Sequence, residues 1–325
     1  MSEGRLLHTG QVVLDLVLRV PALPPVGGDV FATAPTGLTP GGGFNVMAAA
    51  ARAGARVRYL GGHGDGHLGE AARAGLAAEG IEVAFAATVG VDTGVSVAMV
   101  DRTGERTFVT APGAESALDP AALAAEPVTS ADLVYVSGYS LVADSKRDVL
   151  LDWLAGLPAW RDRPVAAAAG PGGPLVLADP GPLAAEINPV ALARLLARVD
   201  VLSCNAREAR LLSAVAEPGA AAGVLAERVR PGAAVLVRDG AAGCWLAAGG
   251  PPELIPGVAV TAVDTNGAGD AHCGVLAAEL LRRADLATAV ARANAAAALA
   301  VTRRGPATAP TRAEVDALLA VHPVR

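Results

Sequence analysis

Runs rich in Val and Leu alternate along this chain with Ala-, Leu- and Arg-containing segments whose apolar residues recur at helical spacing. LHTGQVVLDLVL, RVRYLGG, LVYVSG, PLVLADP, VDVLSCN, AVLVRDG and GCWLAAG read as strands. Turns or alanine-rich helices follow them, including helices expected over 45–53, 68–79 and 271–281. Near-continuous apolar strands belong to a sheet covered on both faces, and the strand–helix rhythm makes that sheet mainly parallel. Two segments break the rhythm. Residues 28–36 and 94–110 alternate polar and apolar positions, carry β-branched residues and lack a following helix. They predict a small sheet standing off the main body as a lid. A low-complexity stretch, 166–174, reads as a surface loop before the strand beginning at Leu175. The expectation is one α/β domain over 1–325, with sites beyond the carboxyl ends of its strands.

The helix expected from 271 is preceded by Val263-Asp264-Thr265-Asn266-Gly267-Ala268-Gly269-Asp270. The small residues form a tight turn that aims free backbone N–H groups and the positive end of the helix dipole at one spot, where an anion can sit. Asp270 then stands beside the anion with a carboxylate able to take a proton from an attacking hydroxyl, the layout of a phosphoryl-transfer site. The same residues also read as an Asp cap behind a glycine turn. Asn205-Ala206-Arg207-Glu208 reads locally as an N-cap with a capping box.

Composition narrows the field. With 325 residues, 52% of them hydrophobic, the chain can bury one large core. A net charge of −6 with both signs interleaved, and only 3% aromatics, offers neither a basic stripe nor a stacking platform, so nucleic acid is not an expected partner. No apolar run is long enough to span a bilayer, and MSEGRLLHTG lacks the layout of a secretory signal. A cytoplasmic protein without a membrane partner is expected. Cys204, Cys244 and Cys273 are odd in number and widely spaced, which points to buried thiols rather than disulfides or zinc. Lysine occurs once, at Lys146, so no Walker A sequence ending in GK[ST] exists. Any nucleoside triphosphate must be held without a P-loop.

From 7 to 319 the chain resembles the ribokinase-like (PfkB-type) carbohydrate kinases, through DTNGAGD ahead of a long helix and through NARE after VDVLSC. The resemblance implies a ribokinase-like three-layer α/β sandwich with a mainly parallel central sheet and a small β-sheet lid. It implies ATP-dependent phosphorylation of a hydroxymethyl group on a sugar or sugar-like small molecule. Asp270 matches the family's catalytic base, and the amides of Gly267, Ala268 and Gly269 match its anion hole. Asn205 and Glu208 match an element near Mg²⁺ and the phosphates, with Glu208 acting on the metal through water. RDGAAGCW and NAAAALAVTRRGPATAP look like the nucleotide elements, which puts Arg238, Gly240 and Gly243 by the phosphates and Asn294 beside the base. Asp264, Asn266 and carbonyls in 301–306 fall where many relatives bind a monovalent cation, here K⁺.

On the acceptor side the resemblance carries over to Asp15, to Gly42, Gly43 and Asn45 at the start of the first helix, and to Tyr139 in place of an acidic sugar contact. Departures are Pro40-Gly41 for a Gly-Gly pair, Val13 for an Asn of ribokinases proper, and His272-Cys273 after the aspartate. Val13 argues against ribose as the preferred acceptor. A nucleoside kinase of the same fold is the alternative, and a non-catalytic sugar sensor is disfavoured by the intact DTNGAGD. Against a phosphosugar stands the lack of lysine in the acceptor half, although Arg52, Arg102 and Arg106 are there to reach a phosphate. Lid-mediated homodimers are frequent in the resembled family.

Two rival patterns carry less weight. Gly64-Asp65-Gly66-His67-Leu68-Gly69 fits GxGxxG between a strand and a helix, the context of NAD binding, but glycine-rich turns are common in any α/β protein. His63 and His67 lack a third metal ligand.

Overall fold

The computed structural model describes residues 4–34, 37–158 and 173–322, so most of the loop expected over 166–174 lies outside the described residues. Seven strands run parallel in a nine-stranded sheet: β1 (Arg5–His8), β4 (Arg56–Tyr59), β5 (Glu82–Val83), β8 (Leu133–Ser137), β9 (Leu175–Asp179), β10 (Val201–Asn205) and β11 (Ala234–Arg238). Antiparallel β12 (Gly243–Ala247) and β13 (Glu253–Pro256) extend one edge, giving the order β13-β12-β11-β10-β9-β8-β1-β4-β5. Alternate strand residues serve opposite faces. Leu6, Leu133, Tyr135, Leu177, Val201 and Leu236 enter a core shared with helices Gly43–Arg52, His67–Ala78, Ala268–Leu281 and Leu286–Val301. Leu7, Val134, Val136, Val176, Leu202 and Val235 enter a second core beneath Asp144–Gly156, Pro189–Leu196, Ala206–Ser213 and Pro218–Ala226. Helices on both faces explain why the strands are apolar throughout rather than at every second position.

A second, four-stranded sheet has the order β3-β2-β6-β7, from β2 (Val12–Arg19), β3 (Leu38–Gly42), β6 (Val95–Val100) and β7 (Arg106–Ala111). LHTGQVVLDLVL, expected as one strand, is therefore two, and they lie in different sheets. The break is at Gly10, whose N–H donates to His8 Nδ1 at 3.1 Å and whose missing side chain makes room for that ring. The segment 94–110 supplies β6 and most of β7, but 28–36 has no strand among its described residues. Its Gly and Pro residues outweigh the alternation, and Thr33 ties it to the sheet, donating its N–H to the Arg19 carbonyl at 2.7 Å.

Two helices set the site. Ala268–Leu281 is buried on all sides from Ala271 to Leu280. It meets Gly43–Arg52 so closely that a Cβ on Gly274 would lie 2.4 Å from the Val46 carbonyl oxygen and 2.5 Å from Ala49 Cβ. Glycine and alanine at this crossing let the backbones approach. One turn back on each helix stand Asp270 and Asn45, so the N-terminal turns converge.

Candidate active site

Asp270 lies in the first turn of Ala268–Leu281 and accepts a hydrogen bond from Asn45 Nδ2 at 3.1 Å. Scarce water around the carboxylate and the nearby charge of Asp179 push its pKa up to about 6, against the opposing effects of Asn45 and Arg238. Asp15, on β2, is also raised to about 6, first by burial and then by the Asp270 charge. Gly41 makes this possible: a Cβ there would lie 1.9 Å from Asp15 Oδ2. The glycine run thus does two jobs. Gly41 clears space for the acceptor-side carboxylate, while Gly42 (φ 62°) and Gly43 let the chain turn against Gln11, Gly43 N–H donating to its carbonyl at 2.7 Å. Pro40 is paired with Leu14 across the β2–β3 ladder. Tyr139 stands half exposed after β8.

The turn ahead of Asp270 has Gly267 as N-cap in the left-handed region (φ 75°), and no side chain caps the helix. The first N–H groups of a helix have no intrahelical acceptor; Ala268 N–H makes one long bond, 3.4 Å, to the Thr265 carbonyl. A Cβ on Gly267 would sit 1.9 Å from the Pro306 carbonyl oxygen. Gly267→Ala must therefore displace the turn. A displacement near 1 Å costs roughly 10²-fold in rate, so kcat is expected to fall by about that factor while circular dichroism stays that of the folded protein.

Beneath the turn lies Arg238, at the end of β11, with its guanidinium carbon 3.6 Å from where a Gly269 Cβ would be. It pairs with Asp179 at 2.9 Å and Glu208 at 3.6 Å, and donates to Ser203 Oγ at 3.0 Å and Cys273 Sγ at 2.8 Å. Asp179 and Ser203 escaped the sequence analysis. Asp179 had a readable signal, a lone carboxylate ending an apolar strand. All three cysteines are buried and free.

Several expected residues are engaged elsewhere. Asn205 and Glu208 form both halves of a capping box: Glu208 Oε2 accepts from Asn205 N at 2.8 Å, and Asn205 Oδ1 accepts from Glu208 N at 2.9 Å. Asn294 is buried, its Nδ2 donating to the carbonyls of Ile255 and Pro256 at 3.0 and 3.2 Å, so its amide pins β13 rather than standing free for a base. Asp264, expected at a monovalent-cation site, pairs with Arg106 at 2.5 Å and accepts the N–H groups of Asn266 and Gly305. Gly240 (φ 55°) is open on the turn after β11, whereas Gly243 (φ 115°) packs against β13. His272 is buried, and desolvation lowers it to about 3, leaving a neutral packed ring.

The rival patterns dissolve into structure. The N–H groups of Leu68 and Gly69, which a dinucleotide phosphate would need, donate to Asp92 at 3.1 and 2.8 Å. His63 contacts Arg73 and the Phe85 carbonyl, and no cluster of three metal-ligating side chains exists among the described residues.

The model of the pfkB family carbohydrate kinases matches residues 5–312. The chain belongs to that family. Family membership makes it an ATP-dependent carbohydrate kinase, and the fold agrees. The chain is 30% identical to the uncharacterized sugar kinase YegV of Escherichia coli over 316 residues, 97% of this chain and 94% of that protein. It is 31% identical to an ATP-dependent ribose-1-phosphate kinase of Halopiger xanaduensis over 319 residues, 97% and 98% of the two chains. Among solved structures it resembles aminoimidazole riboside kinase of Salmonella enterica, complexed with aminoimidazole riboside and an ATP analog, with a TM-score of 0.78, 25% identity and coverage of 97% and 100%.

Proposed function

We propose that this kinase transfers the γ-phosphoryl group of ATP to a hydroxymethyl group of a sugar or sugar-like molecule, with Asp270 as the general base. The observation that carries the reading is the hydrogen-bonded pair Asn45–Asp270 at the mouth of an uncapped helix N-terminus. Asp270 takes the hydroxyl proton as the acceptor oxygen bonds to the γ-phosphorus, and the bond from phosphorus to the β–γ bridging oxygen breaks, leaving ADP. Asn45 orients the carboxylate, Asp15 accepts hydrogen bonds from acceptor hydroxyls, and the Gly267–Gly269 amides, with Arg238 beneath, stabilise charge on the transferring group.

Glu208 and Asp179 face Arg238 rather than forming a cage of free oxygen ligands. Mg²⁺ would then be held mainly by triphosphate and water, with Glu208 reaching it through water, and would supply charge neutralisation. Arg106 already balances the Asp264 carboxylate, so a monovalent cation there would have no unpaired charge to neutralise.

The small sheet, bearing Asp15, acts in this reading as the lid that closes over the acceptor and excludes water. Exposed Val109 on its edge strand β7 suits a second copy of the chain, and a homodimer is the expected mass in sedimentation. The proposed location is cytoplasmic; no helix among the described residues is long and apolar enough to cross a membrane.

The pH profile tests the carboxylates. Both Asp15 and Asp270 are raised to about 6, and both work ionised, so kcat/KM falls as pH drops through 6. Two coupled groups make the acid limb steeper than one proton, and Asp15→Asn is expected to return it to a single-proton slope. The direct test of the function is ADP release with Mg-ATP across sugars, polyols, phosphosugars and nucleosides, where acceptor-dependent turnover identifies the class.

A further inference from the structure

We infer that the acceptor carries an anionic group, phosphate or carboxylate, remote from the hydroxyl that is phosphorylated, and that Arg19, Arg106 and Arg304 hold it. The inference rests on the kinase reading above. Strand register is its basis. Across β2, β6 and β7, Asp15, Ser96 and Thr110 share a row, and Ser96 Oγ meets Thr110 Oγ1 at 2.9 Å. The next row on that face is Val17, Ala98 and Phe108, and the next is Arg19, Val100 and Arg106. Successive rows on one face are about 7 Å apart. The face therefore grades from a hydroxyl-accepting carboxylate, across an apolar band, to a basic end.

This face walls a cavity of about 410 Å³, and Arg304 joins it from the 304–306 loop beside Asp264. Charge at the basic end is not balanced within the protein. Of the two carboxylates lining the cavity, Asp264 is engaged by Arg106, Asn266 and Gly305, and Asp15 stands at the other end. Among the described residues, neither the Arg19 nor the Arg304 side chain has an ion-pair or hydrogen-bond partner. Arg106 uses one amino group on Asp264, which holds its guanidinium at the cavity wall with other N–H donors free. Guanidinium forks lining one cavity match phosphate and carboxylate oxygens. The nucleotide's transferring phosphate has a separate seat at Gly267–Gly269, and Arg19 and Arg106 share the sheet face that carries Asp15, so the basic end is assigned to the acceptor; Arg304, although it lies in the segment that resembles a nucleotide element, lines this same cavity and is assigned with them. Of the arginines expected from sequence to reach a phosphate, only Arg106 is here; Arg52 is taken up by Glu79 and the carbonyls of Ala307 and Ala309, and Arg102 does not line the cavity.

The test is steady-state ADP release with Mg-ATP on matched acceptors: free aldoses, their 1-phosphates and the corresponding aldonates, for wild type and the Arg19→Gln/Arg304→Gln double variant. Both side chains are exposed, so the variant is expected to fold. The expected result is a kcat/KM at least about tenfold higher for one anionic series than for the free aldose, shrinking with added salt. That preference collapses in the double variant while KM for ATP moves less than about twofold. Which series wins identifies phosphate or carboxylate. Equal or better turnover of free aldoses by wild type overturns the inference and leaves the kinase reading standing. So does a preference that survives in the variant, or a loss that appears in KM for ATP. No turnover of any acceptor, with the folded state stabilised thermally by anionic sugars in wild type but not in the variant, retains the anion site and overturns the kinase reading instead.

Discussion

Asp270→Asn is expected to lower turnover by about 10²- to 10⁴-fold, the usual contribution of a general base, with acceptor affinity within a few fold of wild type. The amide keeps the shape and still accepts the Asn45 hydrogen bond through its Oδ1, so binding geometry survives. What disappears is the place for the proton. Stability moves the other way. The Asp270 carboxyl is raised to about 6 in the fold, above the ordinary aspartate value near 4. Stability from such a group is complete below the unfolded pKa and is lost as pH rises through the folded one. At neutral pH the ionised side chain therefore works against folding, and the neutral amide removes that cost. Measured together, kcat should collapse and Tm should hold or rise. A variant retaining near-normal turnover would sink the proposed role of Asp270; lost activity accompanied by a lower Tm would point to damaged structure instead.

The parts legible in sequence were those where local chemistry and the fold agree. Apolar strands alternating with helices specify the parallel sheet, because burial on both faces leaves no polar position to misread. DTNGAGD was legible because a glycine turn, a helix start and a carboxylate coincide within a few residues. The small sheet was only half legible. Its β2 follows β1 after only Thr9, Gly10 and Gln11, and the switch between sheets depends on Gly10 approaching His8, a contact between two residues rather than a pattern. Asn294 is ambiguous in sequence for a related reason. A helix asparagine looks the same in sequence whether its amide faces a ligand or, as here, two backbone carbonyls of a neighbouring strand. Arg19 was hidden altogether, since it sits in a row with Arg106 only once a register spanning three strands is fixed.

Arg238→Met carries the largest expected cost in stability. The guanidinium is the shared counter-ion of Asp179 and Glu208, and all three side chains are nearly closed to solvent. Removing it leaves two carboxylates facing one another, and breaking a buried pair in this way costs about 3–5 kcal/mol. For a chain of 325 residues that is a drop in Tm of roughly 4–8 °C. The deficit has a pH signature that a simple packing defect lacks. Burial and the Asp179 charge already raise the Glu208 pKa while Arg238 lowers it, so loss of the arginine drives it further up. A raised carboxyl costs nothing below its unfolded pKa and most above its folded one. The gap in Tm between variant and wild type is therefore expected to be small in acid and to widen towards neutral pH. Asp179→Asn in the same background removes one of the opposed charges and should recover part of the loss. Activity separates the two roles of the residue. The double variant regains stability, but the positive charge beneath Gly269 remains absent, so the transferring phosphoryl group loses that stabilisation and kcat stays low. Recovery of kcat along with Tm would mean that Arg238 only supports the fold; recovery of Tm alone would place its charge in the transition state.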